Sequence, residues 1–242
     1  MLRARRAFLP IVAAALIAGC SESARNRIDF WWSGVRGGYS IDERVQQVGP
    51  RVEARLRPSF VTAGVAYPPH ELAYLAFKDT GALQVYARDT AESPWTFIAS
   101  YAVHAASGHL GPKLLEGDSQ VPEGIYSIAL LNPNSRYHLS LRVSYPNDFD
   151  RQMALADGRT RLGGDIMIHG DHRSIGCLAM GNDAAEDLFV LAALAATQPP
   201  IVIISPTDFR AGAPTTLPGD PSWIGALYAQ IRDALQVFPT PR

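Results

Sequence analysis

The hydrophobic positions of this chain change period part-way along it. From Ser40 to Arg57 they recur at helical spacing, with Ile41, Val45, Val48 and Val52 on one face. Ser40 is a candidate N-cap and Glu43, three residues on, completes a capping box. Gly49-Pro50 predicts a break or kink, because proline has no amide donor and its ring collides with the preceding turn. Tyr67-Pro68-Pro69 predicts a turn, and beyond it the period shortens. Glu71 to Lys78 and Ala82 to Arg88 are apolar runs joined by Asp79-Thr80-Gly81, a hairpin signal. Trp95 to His104 is rich in aromatic and β-branched residues, as strands are. Gly124 to Leu131 follows as a further strand, and Tyr137 to Val143 puts Leu139, Leu141 and Val143 on one face. Ile166 to His169 and Ile201 to Ser205 read as central strands buried on both sides. Between them Asp183 and Glu186 form a capping box for a helix through Ala196, with Leu188, Leu191, Ala192 and Ala195 inward. Asp220-Pro221 opens a last amphipathic helix that aligns Ile224, Leu227, Ile231 and Leu235. The predicted fold class is α+β, mainly β.

The first residues follow a different logic. Arg3, Arg5 and Arg6 precede an apolar stretch, Ala7 to Ala18, too short to span ~30 Å of hydrocarbon. A signal peptide fits better. Ile17-Ala18-Gly19-Cys20 resembles a bacterial lipobox, in which Cys20 becomes the lipidated first residue of the mature chain. An ordinary signal peptide cut near Gly19, with Cys20 a bystander, is the plainer alternative. Ser21 after the cysteine implies transport to the outer membrane, where several acyl chains on one residue anchor stably. The expected location is therefore periplasm-facing and lipid-anchored. Residues 21–60 form a tether and the first helix. Phe30-Trp31-Trp32 within it is read as packing on the domain, with a membrane or partner contact as the other reading.

Composition narrows the classes. The chain has 242 residues, 47% hydrophobic and 19% charged, with formal net charge −1. That suits one domain with a sizeable core after loss of the leader. With no basic cluster in the mature chain, nucleic acid is not an expected partner.

The chemistry concentrates in residues 163 to 183. Ile166-Met167-Ile168 delivers His169 as a strand surfaces, and Cys177 follows eight residues later, directly after Gly176. The thiolate is the nucleophile, and an imidazole can take its proton. A cysteine between apolar neighbours is often structural. Against that reading, the chain has two cysteines and Cys20 is assigned to the anchor, so Cys177 is the thiol of an oxidising compartment. Ser174 can hold the loop or meet a substrate. His169, Asp171, His172 and Cys177 are also zinc-ligand types, but their spacing matches no common zinc pattern, so no metal and no cofactor is expected.

Several separated motifs carry a family resemblance. His169-Gly170 followed by Ser174-Ile175-Gly176-Cys177 resembles the His-Gly … Ser/Thr-x-Gly-Cys signature of L,D-transpeptidases with the YkuD-type catalytic domain. Ser107-Gly108-His109-Leu110-Gly111-Pro112-Lys113, Glu116-Gly117-Asp118, Val121-Pro122-Glu123-Gly124-Ile125-Tyr126, Asn132-Pro133-Asn134-Ser135-Arg136-Tyr137 and Tyr145-Pro146-Asn147 are similar to the family's short-loop murein branch. The resemblance implies sandwich-like sheets with a helix after the cysteine loop, in a catalytic domain over 61–210. Residues 1–20 are then the leader and 211–242 a linker and C-terminal helix.

It also implies acyl transfer on peptidoglycan stem peptides. Cys177 attacks an L,D peptide bond and holds the acyl group as a thioester, with His169 as base and later acid. Gly176 and Cys177 would offer backbone amides to the oxyanion. By the family pattern, the Gly170 carbonyl orients the imidazole; Asp171 is the alternative. Tyr145, Lys113, His172 and Arg173 are the candidates for holding substrate. For Lys113, with His109, plain turn chemistry is the competing reading. The chain departs from many members in two ways. Only Gly170 to Arg173 separate the histidine from the serine, and Leu178 stands where a basic or polar residue is usual. The expected site is therefore more open, and release of a peptidoglycan-attached protein by hydrolysis is a possible outcome. The expectation from another class is a lipid-anchored, non-catalytic peptidoglycan-binding module, because fold does not dictate function.

Overall fold

The computed structural model describes residues 38–172, 176–196, 199–212, 216 and 219–241. The leader, Cys20, Phe30-Trp31-Trp32, Arg173 and Ser174 lie outside the described residues. The described chain runs α1 (Ile41–Ala63), β1 (Glu71–Phe77), β2 (Ala82–Arg88), β3 (Thr96–Ala102), β4 (Gly124–Asn132), β5 (Ser140–Val143), α2 (Asp148–Ala156), β6 (Met167–His169), β7 (Leu178–Ala179), α3 (Asn182–Leu194), β8 (Ile201–Ser205) and α4 (Ile224–Leu235). The architecture is α+β, mainly β, as the patterning predicts. Among the described residues, no helix is long and apolar enough to cross a membrane.

The strands form one eight-stranded sheet in the order β3-β2-β1-β8-β4-β5-β6-β7. Pairing is parallel between β1 and β8 and between β6 and β7, and antiparallel elsewhere. β4 joins the two halves: Gly124 to Ser127 pair with β8, and Ile128 to Asn132 pair with β5 across an irregularity in the register. The strands expected as sandwich-like sheets are thus continuous through one long strand.

Both faces of the sheet centre are covered. In β1, Leu72, Tyr74 and Ala76 enter a core with Val48, Val52, Leu56 and Phe60 of α1 and Leu188 to Leu191 of α3. Ala73, Leu75 and Phe77 point the other way, into a second core with Ile224, Leu227, Ile231 and Leu235 of α4. The period-2 alternation of a strand serves two cores here, so β1 reads as a continuous apolar run.

The first helix corrects an expectation. Its capping box between Ser40 and Glu43 forms as predicted, yet α1 runs unbroken past both Pro50 and Pro58 to Ala63. An interior proline costs about 3 kcal/mol in isolation. Packing on α3 outweighs it: four apolar side chains are buried, and Arg51 and Arg55 pair with Glu186 and Asp187. The helix ends where Gly64 takes a left-handed conformation, φ 69°.

The start of α3 also differs from the pattern. Gly181 occupies the N-cap and, having no side chain, can make no side-chain cap bond; Glu186 is buried and turned towards Arg51 of α1 rather than back to the helix start. α4 begins at Ile224, later than Asp220-Pro221 predicts. α2 is absent from the sequence expectation, although Asn147 and Asp150 form a reciprocal capping box. With aspartate in place of the usual glutamate or glutamine, the signal is weaker than the standard one.

Candidate active site

The site lies at the β6–β7 edge of the sheet. β6 carries His169 out of the core, and β7 begins one residue after Cys177. Their parallel register pairs Ile168 with Leu178 and His169 with Ala179. Continued one residue back, that pairing sets Cys177 beside Met167, on the face that His169 shares. Ile168 and Leu178 are buried on the other face and lock the two strands together. The sequence places histidine and cysteine in the alternate positions that a pleat turns to one side.

His169 is 2% exposed. Its Nδ1 lies 2.5 Å from the carbonyl oxygen of Gly170. A carbonyl can only accept, so Nδ1 carries the proton and Nε2 keeps its lone pair. Burial lowers the imidazole pKa below the ordinary histidine value, outweighing the Gly170 bond and the nearby charge of Asp171. The ring is therefore neutral at pH 7 and able to take a proton. Tyr137 covers one of its faces, with ring centroids 4.7 Å apart. The Asp171 carboxylate instead accepts the amide of His172 at 2.7 Å.

Gly170 has no room for a side chain. A Cβ there would come within 2.6 Å of the Tyr137 carbonyl oxygen and 2.7 Å of Asn182 Oδ1. Those contacts, with the Gly170 amide bonded to Leu139 and the Asp171 amide bonded to Asn182, hold the His-Gly turn in place.

Cys177 is half-buried, and its thiol donates to the Asp165 carbonyl at 3.8 Å. Arg142 reaches the Asp165 carboxylate at 3.6 Å, and its strand pairs it with Met167, on the face of His169 and Cys177. The sequence reading missed Arg142 as a site residue. Alternation from the inward Leu141 could have found it, since the neighbour of a buried strand position faces the other way. Ser107 was also given no role. Its hydroxyl accepts the Gly176 amide at 2.5 Å and donates to the Ser119 carbonyl at 2.7 Å. The Gly176 amide, expected to face an oxyanion, is thus engaged by Ser107.

Two substrate-holding expectations need correction. Lys113 is 7% exposed, and its ammonium is bonded to Asp118 and to the Leu115 carbonyl. Tyr145 is 6% exposed, and its hydroxyl is within reach of the Lys113 and Leu162 carbonyls. Both groups satisfy the loops around them, because a buried polar group needs an internal partner. His172, by contrast, is exposed and packs edge-on against His104, with centroids 4.8 Å apart. A cleft of about 530 Å³ lies beside it, also lined by Arg55, His104, Gly181 and Asn182. Among the described residues, no three His, Cys, Asp or Glu side chains are grouped to hold a metal ion.

A model of the YkuD family, the L,D-transpeptidase catalytic domain, matches residues 76–204. The chain is 37% identical over 131 residues to the proteins named "Putative L,D-transpeptidase YafK" of Escherichia coli K12 and O157:H7, covering 52% of this chain and 50% of theirs. The chain thus spans about half the length of the curated relatives it matches. Among solved structures, the helical cell shape determining protein Pgp2 from Campylobacter jejuni is 24% identical with a TM-score of 0.45, over 59% of this chain and 50% of that one. Bd1075 of Bdellovibrio bacteriovorus is 21% identical with a TM-score of 0.40, over the same shares.

Proposed function

Because the chain belongs to the YkuD family of L,D-transpeptidase catalytic domains, we propose that it performs cysteine-dependent acyl transfer on peptidoglycan stem peptides. The observation that carries this reading is the buried, neutral His169, with its Nδ1 proton given to the Gly170 carbonyl and its Nε2 left as a base on the face of Cys177.

The steps follow from that arrangement. The Cys177 thiol turns from the Asp165 carbonyl and gives its proton to His169 Nε2. The thiolate attacks the carbonyl carbon of the scissile L,D bond, and an oxyanion forms. The Cys177 amide stabilises it, with the Gly176 amide able to join if it exchanges Ser107 for the substrate. The C–N bond breaks as His169 returns the proton to the departing amine, which leaves a Cys177 thioester. An amine or a water molecule then attacks the thioester, gives a proton to His169 and releases the thiol. Arg142 supplies a cation beside the nucleophile, suited to a substrate carboxylate.

The short run from Gly170 to Arg173 supports an open site with room for a bulky peptide. On that ground we favour substrates that include a protein remnant attached to the stem, released when water resolves the thioester. A lipid on Cys20 would hold the domain at the outer membrane, facing the periplasm. The test is to incubate the full chain with defined muropeptides, with and without a peptide attached through an amine, and to weigh the products. Cross-linked dimers indicate an amine acceptor, and freed peptide with a trimmed stem indicates water. Intact substrate in every case contradicts the reading.

A further inference from the structure

We infer that α1 and the Tyr137-His138 turn act as a positioning brace for the His169 base. Its α1 end lies outside the stretch that matches the family. This inference rests on the reading of His169 as the base.

The linkage is continuous. Arg51 of α1 donates to Glu186 through both Nε, at 2.7 Å, and Nη2. Arg55 reaches the same carboxylate at 3.3 Å. Glu186 is 2% exposed, and His138 Nε2 lies 2.7 Å from its Oε1. His138 holds a left-handed backbone conformation, φ 73°, which a non-glycine residue adopts only when its surroundings enforce it. The bond to Glu186 is such an enforcement.

The far end of that turn meets the base twice. The Tyr137 ring lies on the His169 ring. The Tyr137 carbonyl and His138 Cβ pack where Gly170 would carry a side chain, so the turn also sets the carbonyl that orients Nδ1. Movement of His138 therefore displaces both restraints on the imidazole together. Among the described residues, the charged groups facing the linkage are Asp171 beside His169, Arg51, Arg55 and Glu186 around His138, and Asp183 and Asp187, which pair with Arg55. α1 spans 41–63 and the family match begins at 76, so the α1 end of the brace lies outside the matched stretch, while Glu186 and the Tyr137-His138 turn lie within it.

The test uses the full chain and the rate of Cys177 alkylation by iodoacetamide across pH, with the adduct located by peptide mapping. Tyr137→Leu and Arg51→Met should each slow alkylation at neutral pH by on the order of tenfold, as loss of orientation does. Their rising limb should move to higher pH as the imidazole becomes hydrated. Tyr137→Phe, which keeps the ring, should restore most of the rate lost in Tyr137→Leu. The Arg51→Met/Tyr137→Leu double variant should lose less than the product of the single effects, because both act through one linkage.

Tyr137 is 41% exposed, so its variants keep the fold even if Arg51→Met does not. Wild-type rates and profile in Tyr137→Leu overturn the brace, as do multiplicative effects in a folded double variant. If wild type reacts no faster than His169→Gln, the reading of His169 as base fails instead.

Discussion

Strands β1 and β2 are seven residues each, paired along their whole length and packed between helices on both faces of the sheet. Strands β6 and β7 are three and two residues long and pair with each other at two positions, with β6 paired to β5 at three and Ala179 bridged to Ala105. The centre is made of side chains with no chemistry to offer; the edge carries the histidine and, just before β7, the cysteine. A long ladder would bury those groups and satisfy every amide near them. A short one lets the chain leave the sheet immediately after His169 and re-enter it immediately after Cys177. What the edge lacks in ladder it recovers from side chains: Asn182 on Gly170 and Asp171, Ser107 on Gly176, and Glu186 on His138.

If that division is right, the largest effects come from the edge and leave the centre untouched. Cys177→Ala should abolish conversion of muropeptides, and His169→Gln should lower the rate of thioester formation by ~10²–10⁴-fold. Both should unfold in denaturant close to wild type. A His169→Gln variant that acylates at the wild-type rate would erase the contrast.

The centre should show the reverse. Lys78 and Glu123 form a buried pair at 2.9 Å, with the Gly111 amide and the Tyr228 hydroxyl also on the carboxylate. Glu123→Ala leaves the Lys78 ammonium buried and should cost about 3–5 kcal/mol in denaturant unfolding. Alkylation of Cys177 below the transition should stay near wild type, which would sharpen the separation of the two regions.

Smaller still is Arg142→Met, at the surface of the edge. It should weaken use of a substrate with a carboxylate next to the scissile bond by about 10–100-fold, mainly through KM, and barely alter alkylation by neutral iodoacetamide. Equal losses with both reagents would mean that Arg142 tunes the thiol rather than the substrate.

The smallest effect concerns pH. Burial pushes Asp150 up to about 6. A carboxyl raised above its unfolded value contributes stability below that value and loses it as pH rises through about 6. The Asp150 contribution therefore falls away between about pH 4 and pH 6 and is constant above that, and Asp150→Asn should remove that part of the slope from the melting-temperature profile.

The separation of centre from edge also explains what could be read from the residues. β1, β2 and β8 were legible because apolar runs between turn signals have few other uses. The placement of His169 at the end of β6 and of Cys177 just before β7 was legible because a strand ending in histidine and a glycine–cysteine turn are local patterns. The continuity of α1 through Pro50 was not legible because contacts that hold it come from Glu186 and Asp187, more than a hundred residues away. The same distance hid the true partner of Glu186, which sequence spacing assigns to a cap. Lys113 and Tyr145 were read as substrate groups because nothing in their neighbours reveals that Asp118 and the Leu115 carbonyl engage the first and the Lys113 and Leu162 carbonyls the second. Arg142 was missed for the opposite reason: its strand was read for its inward face alone.

The central claim is that the thiol of Cys177 becomes nucleophilic through His169. Its most direct test is the intact mass of the full chain after exposure to a carbapenem, followed by peptide mapping. The account predicts one added carbapenem mass on Cys177 in wild type, slow addition in His169→Gln and none in Cys177→Ala. A wild type that takes no adduct, or a Cys177→Ala variant that takes one, contradicts it.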